Sequence, residues 1–165
     1  MHHVDDKNVR CLVATVSDTR TVETDKSGKL VKQFLNANNH ICVDHVIIRD
    51  ERNEIEAFLE KGIANEQVEA ILLTGGTGIS VRDVTIEVVE GVIDKEISGF
   101  GEIFRMLSYT EDIGSAAMMS RAKAGVKNRK VIFAMPGSSG AVKLAMEKLI
   151  LPELSHIVHE LHKDL

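Results

Sequence analysis

The chain has 165 residues, 44% of them hydrophobic and 27% charged, with only two prolines, which suits one domain with a real core and excludes a disordered or fibrous chain. A net charge of −5 with no basic stripe argues against adhesion to nucleic acid, and no apolar run approaches the roughly 20 residues of a membrane-spanning helix. The opening Met1-His2-His3-Val4-Asp5-Asp6 lacks the positive-then-apolar pattern of a signal peptide, so the protein reads as cytoplasmic, and Cys11 and Cys42, each in an apolar run, read as small hydrophobes rather than as a disulfide or zinc framework.

Short β-branched runs, each followed by a turn and a helical pattern, give the rhythm of a parallel sheet covered by helices. The first strand spans 11–16 and runs into Ser17-Asp18-Thr19-Arg20, after which Leu30, Val31, Phe34 and Leu35 share a helical face. A second strand, 43–48, ends at Arg49-Asp50-Glu51; a helix through Ile55, Phe58 and Leu59 follows, with Gly62 as its stop signal. The third strand, 68–74, leads into Gly75-Gly76-Thr77-Gly78 and a helix through Val84, Val88 and Val89, capped by Asp83 or Thr85. Between 92 and 120, Phe104, Met106 and Leu107 favour a helix, while 113–119 fits either type. A further strand, 130–134, enters Met135-Pro136-Gly137-Ser138-Ser139-Gly140; a helix through Val142, Leu144, Ala145 and Leu149 follows, and Pro152 begins a last helix ending near Lys163. There is no internal repeat and no linker, so the chain reads as a single domain, 1–165.

In an open parallel sheet, ligands bind beyond the carboxyl ends of the strands. The loops after the four strands would therefore share one rim carrying backbone and hydroxyl donors, Arg20 and Arg82, and the carboxylates of Asp50 and Asp83, a set suited to a phosphate ester bound with Mg²⁺. Three glycines in four residues at 75–78 let the backbone approach an anion and present several N–H groups to it. No Walker lysine follows, and Val81 stands where a dinucleotide fingerprint has its third glycine. A tight strand-to-helix turn without a ligand is the plain alternative. Asp83 reads either as a metal ligand or as a helix cap, Asp50 as a ligand, an orienting group or a turn residue, and Arg121 as a phosphate partner or a surface charge. His156, His159 and His162 recur on the final helix without an aligned acidic partner, which favours a polar or subunit-facing surface over a metal site. Phe34, Phe58 and Phe104 are assigned to the core.

Thr74-Gly75-Gly76-Thr77-Gly78 followed by Arg82-Asp83-Val84-Thr85 resembles the signature of the MoaB/MogA family and of gephyrin G-type domains. Val16-Ser17-Asp18-Thr19-Arg20, Ser120-Arg121-Ala122-Lys123-Ala124-Gly125 and Met135-Pro136-Gly137-Ser138 resemble further family segments, in family order and across nearly the whole chain. Two departures stand out: Ile86 replaces a frequent proline, and Ser139-Gly140 replaces a frequent Asn-Pro. The resemblance implies a three-layer α/β/α fold with a mostly parallel sheet, assembly as a homo-trimer or hexamer, and a place in molybdenum cofactor biosynthesis among its other proteins. The implied reaction is adenylyl transfer from MgATP to the terminal phosphate of molybdopterin, with pyrophosphate released; a non-catalytic molybdopterin-binding or scaffold protein of the same pathway is the alternative. On that reading Asp50 and Asp83 are the catalytic, Mg²⁺-binding carboxylates. Ser17, Thr74, Gly75, Gly76, Thr77, Gly78, Ser120, Arg121, Pro136, Gly137, Ser138 and Ser139 bind nucleotide and substrate.

Overall fold

The computed structural model describes residues 7–164; the signal-peptide reading of residues 1–6 lies outside them. Strands β1 (Arg10–Val16), β2 (Ile41–Ile48), β3 (Ala70–Thr74) and β6 (Lys130–Met135) pair in parallel, and β5 (Lys123–Lys127) and β4 (Lys95–Glu96) extend the sheet antiparallel, giving the order β2-β1-β3-β6-β5-β4.

Successive strand residues point to opposite faces, and the chain uses that alternation to feed two cores. Cys11 and Val13 of β1, Ala70 and Leu72 of β3, and Val131, Phe133 and Met135 of β6 enter one. Leu12, Ala14 and Val16, then Ile71 and Leu73, then Ile132 and Ala134 enter the other. Helices α1 (Lys26–Ala37), α4 (Ser98–Glu111), α5 (Ser139–Leu144) and α6 (Leu151–His162) cover the first face, and α2 (Arg52–Ala64) and α3 (Thr85–Val92) cover the second, so the layers are α/β/α as expected. Phe58 and Phe104 are buried in these cores, while Phe34 packs half-buried at the edge of one. Cys11 is buried; Cys42 is only half-buried, because β2 is the sheet edge. No helix among the described residues is long and apolar enough to cross a membrane.

Three local expectations are corrected. Two short strands, β4 and β5, lie where no strand was expected, because Lys-Ala-Gly-Val-Lys pairs between β6 and the two-residue edge strand β4 without an apolar run. Gly62 does not stop α2, which runs to Ala64; a Cβ there would lie 2.9 Å from side-chain carbons of both Ile71 and Leu12, so this glycine permits close packing of helix on sheet. Neither Asp83 nor Thr85 caps α3: Val84 is the cap residue, and the Thr85 hydroxyl instead donates to the Gly75 carbonyl at 3.0 Å. Pro152 stands in the first turn of α6, which ends at His162 with Lys163 as its cap, as expected. The helical path from Ser139 continues through a π-helical stretch, Ala145–Ile150, in which the Leu151 N–H reaches back five residues to the Met146 carbonyl. The wider turn sits directly before Pro152, whose nitrogen has no hydrogen to give an α-helical ladder. The ambiguous segment 113–119 contains a 3₁₀ helix, Gly114–Met119.

Candidate functional site

The register makes the four strand ends level. Thr15 is opposite both Ile47 and Thr74, and Thr74 is opposite Met135, so the loops that follow do meet on one rim. β1 connects outward to β2 on one side and borders β3 on the other, which places the glycine loop at the point where the strand order reverses. The loop is sewn into its neighbours: the Gly75 N–H donates to the Met135 carbonyl at 2.9 Å, and the Thr74 hydroxyl donates to the Pro136 carbonyl at 3.0 Å. Gly75 and Gly76 have φ of 107° and 70°, and a Cβ on either would collide, with the Val16 carbonyl or with Thr85 Oγ1 respectively. Beyond that point the backbone is open. The N–H groups of Gly76, Thr77 and Gly78 donate to nothing among the described residues, which leaves three consecutive donors for an anion.

Both carboxylates face this loop. An ideal Cβ on Gly76 would stand 3.1 Å from Asp50 Oδ1, and one on Gly78 2.8 Å from Asp83 Oδ2. Asp83 Oδ2 accepts from the Ser80 N–H at 3.0 Å and the Ser80 hydroxyl at 2.7 Å, which leaves its other oxygen unengaged. Partial burial raises the pKa of Asp50, and the neighbouring Asp18 and Asp83 carboxylates raise it further. Crowded anions of this kind favour a hard cation between them. Mg²⁺ commonly takes one or two carboxylates and completes its shell with substrate phosphates and water. Among the described residues no group of three His, Cys, Asp or Glu side chains could hold a metal by itself, so a cation beside Asp50 and Asp83 would need ligand or water oxygens to complete its shell. His156 contacts Glu153 at 3.0 Å.

The arginines serve the scaffold. Arg82 bridges Asp18 and Glu51, donating at 3.0 Å to both oxygens of the first and to the second, while the Asp50 N–H also donates to Asp18. Hydrogen bonds from Arg82 hold the Asp18 carboxyl below its ordinary range. Arg121 donates to the carbonyls of Gly78 at 2.9 Å and Asp83 at 3.1 Å and pairs with Glu87, so it clamps the back of the glycine loop to α3. Ser17 is likewise engaged locally, its hydroxyl accepting from the N–H groups of Thr19 and Arg20.

In front of the loop lies a cavity of about 470 Å³. Of the residues expected to bind substrate, Gly75 to Gly78, Asp83, Ser120, Pro136, Gly137 and Ser138 line it; Ser17, Asp50, Thr74, Arg121 and Ser139 do not. Ser138 Oγ accepts from the Ala141 N–H and so caps α5. The opposite wall was not foreseen: Phe104, Ser108 and Asp112 of α4 and its end, then Ile113, Ala116 and Met119 around the 3₁₀ turn. Nothing in the sequence marks this wall: Ser108 in α4 and Asp112, its C-cap, stand among other polar residues, Thr110 and Glu111.

Residues 12–156 match the family model described as a probable molybdopterin binding domain. The chain is 60% identical over 156 residues to molybdenum cofactor biosynthesis protein B of Bacillus subtilis, covering 94% of this chain and 92% of that protein. A crystal structure of a molybdenum cofactor biosynthesis protein B superposes with a TM-score of 0.93 at 56% identity, covering 96% of this chain and 99% of the other. The tungsten cofactor synthesizing protein MoaB from Pyrococcus furiosus superposes at 0.82 with 37% identity, covering 93% and 97%.

Proposed function

Because the chain belongs to the molybdopterin-binding family of molybdenum cofactor biosynthesis proteins, we propose that it transfers AMP from MgATP to the terminal phosphate of molybdopterin. A phosphate oxygen of molybdopterin attacks the α-phosphorus of ATP, and the bond to pyrophosphate breaks. The attacking monoester is already anionic at neutral pH, its second pKa being roughly 6, so no strong general base is needed. What the protein must supply is alignment and charge neutralisation.

The observation that carries this reading is the row of three unengaged N–H groups on Gly76, Thr77 and Gly78, flanked by Asp50 and Asp83. The N–H groups bind phosphate oxygens. Asp50 and Asp83 would hold Mg²⁺, which supplies Lewis-acid neutralisation of the phosphates when bound. Ser80 fixes the rotamer of Asp83, and Arg121 keeps the loop from sagging away from α3. The exposed apolar side chains of Ile103, Met106, Tyr109 and Met118 are consistent with burial in a homo-trimer or hexamer.

A second reading, binding without turnover, is favoured by one feature: no lysine or arginine lines the cavity, and Arg82 and Arg121 are both committed to internal partners. Incubation of the purified protein with molybdopterin and MgATP separates the two. Adenylylated molybdopterin should form only with Mg²⁺, and Asp83→Ala should lower turnover by about a hundredfold or more while folding is retained. Bound molybdopterin with no product, under conditions where an active relative succeeds, establishes the non-catalytic reading.

A further inference from the structure

The cavity has two chemically different sides. The glycine side offers unengaged N–H donors to phosphate. The α4 side offers acceptors: Ser108 is only 1% exposed and its hydroxyl makes no hydrogen bond among the described residues, and Ser120 Oγ is buried without a partner. Exposed Asp112 lines the same cavity with a carboxylate that carries no hydrogen bond or ion pair among the described residues. An ideal Cβ on Gly140 would lie 2.8 and 2.9 Å from its two oxygens, so the carboxylate stands against the start of α5, where a phosphate would otherwise be welcome. Phe104, Ile113, Ala116 and Met119 supply apolar surface beside these polar groups. Two unpaired hydroxyls in buried or half-buried residues, beside an exposed carboxylate and apolar surface, suit a flat, partly polar guest, because buried polar groups are normally paired.

We infer that Asp112 is a specificity-determining residue that recognises the 2-amino-4-oxopyrimidine edge of a pterin. The inference rests on the molybdopterin reading above and adds to it which wall takes the heterocycle and which edge of the ring is read. A carboxylate only accepts, through two oxygens set side by side. The pterin edge presents two parallel donors, the ring N3–H and the exocyclic amino group, and the match is bidentate. Adenine presents a donor beside an acceptor on its pairing edge, so one carboxylate oxygen would face a lone pair. The same carboxylate keeps phosphate off the start of α5 and leaves the glycine loop as the anion side. The heterocycle and the phosphate are thereby assigned to different groups of one cavity.

Replacing the acid with its amide tests the pairing by reversing it. Asn carries one acceptor and one donor, the complement of a lumazine edge, in which the 2-amino group is an oxygen beside the same N3–H. Fluorescence titrations of the full chain with 6-hydroxymethylpterin and 6-hydroxymethyllumazine should show the wild type preferring the pterin by about tenfold or more. Asp112→Asn should lose or invert that preference while MgATP affinity stays within about twofold, and Ser108→Ala should weaken both heterocycles without changing their ratio. An unchanged pterin preference in Asp112→Asn, or equal binding of the two rings by a wild-type protein that still adenylylates molybdopterin, overturns the inference and leaves the proposed function standing. A wild type that binds neither ring and makes no adenylylated product overturns both.

Discussion

The N–H of Gly76 is available to an anion because the backbone there sits at φ 70°, where it faces outward while Thr85 closes in behind it. An L-residue pays roughly 1–2 kcal/mol for that conformation, and a Cβ would also strike Thr85 Oγ1. Gly76→Ala is therefore expected to lose about 2–3 kcal/mol of stability by urea unfolding and to weaken pyrophosphate binding. Gly91, with open space around its missing Cβ and an ordinary helical backbone in α3, is the contrasting site. Gly91→Ala should gain about 0.5–1 kcal/mol and leave binding alone. The glycine loop was readable from sequence because a run of glycines has few other uses. Ser108 and Asp112 were not, because a serine in a helix and an aspartate at its end look the same whether they face solvent or a cavity.

Among the elements, the strands with apolar runs announce themselves, the edge strand β2 included, and the short polar β4 and β5 do not. β1, β3 and β6 are continuous apolar runs because both faces of each are covered, and their positions follow from composition alone. β5 joins β6 through Asn128 and Arg129, which have φ of 49° and 61°, the two-residue hairpin geometry that sequence reading recognises when the second residue is glycine. With arginine there the signal disappears, and the antiparallel pair leaves no mark in the sequence. The same strain makes a prediction. Arg129 is exposed, so Arg129→Gly should relieve its left-handed conformation and raise stability by about 0.5–1 kcal/mol after the added entropy cost of glycine. Thermal unfolding of the variant checks this; a lower midpoint would mean that the turn's strain is compensated elsewhere.

For the molecule as a whole, the level strand ends that build the rim also demand that the first and second strands be fixed at their other ends, and there the chain uses a histidine. His40, buried just before β2, accepts from the Val9 N–H at 3.0 Å through Nδ1, which ties the entry of β1 to that of β2. Only a neutral ring has a lone pair on that nitrogen. Burial lowers the pKa of His40, and that of His45 shifts in the same direction from the same first cause, although Asp25 opposes it. Because the folded-state values lie below the ordinary histidine value of about 6.5, the unfolded chain takes up protons first as pH falls. The stabilisation is thus fully present above about pH 6.5 and is lost as pH falls from there through the folded-state pKa. The melting temperature should be lower at pH 5.5 than at pH 7.5, with the His40 ring titrating below 6.5 by NMR. His40→Gln keeps an oxygen able to accept from Val9 but cannot be protonated in this range, so it should flatten the acid side of the profile. A ring titrating above 6.5, or an unchanged slope in the glutamine variant, would place the acid sensitivity at some other group.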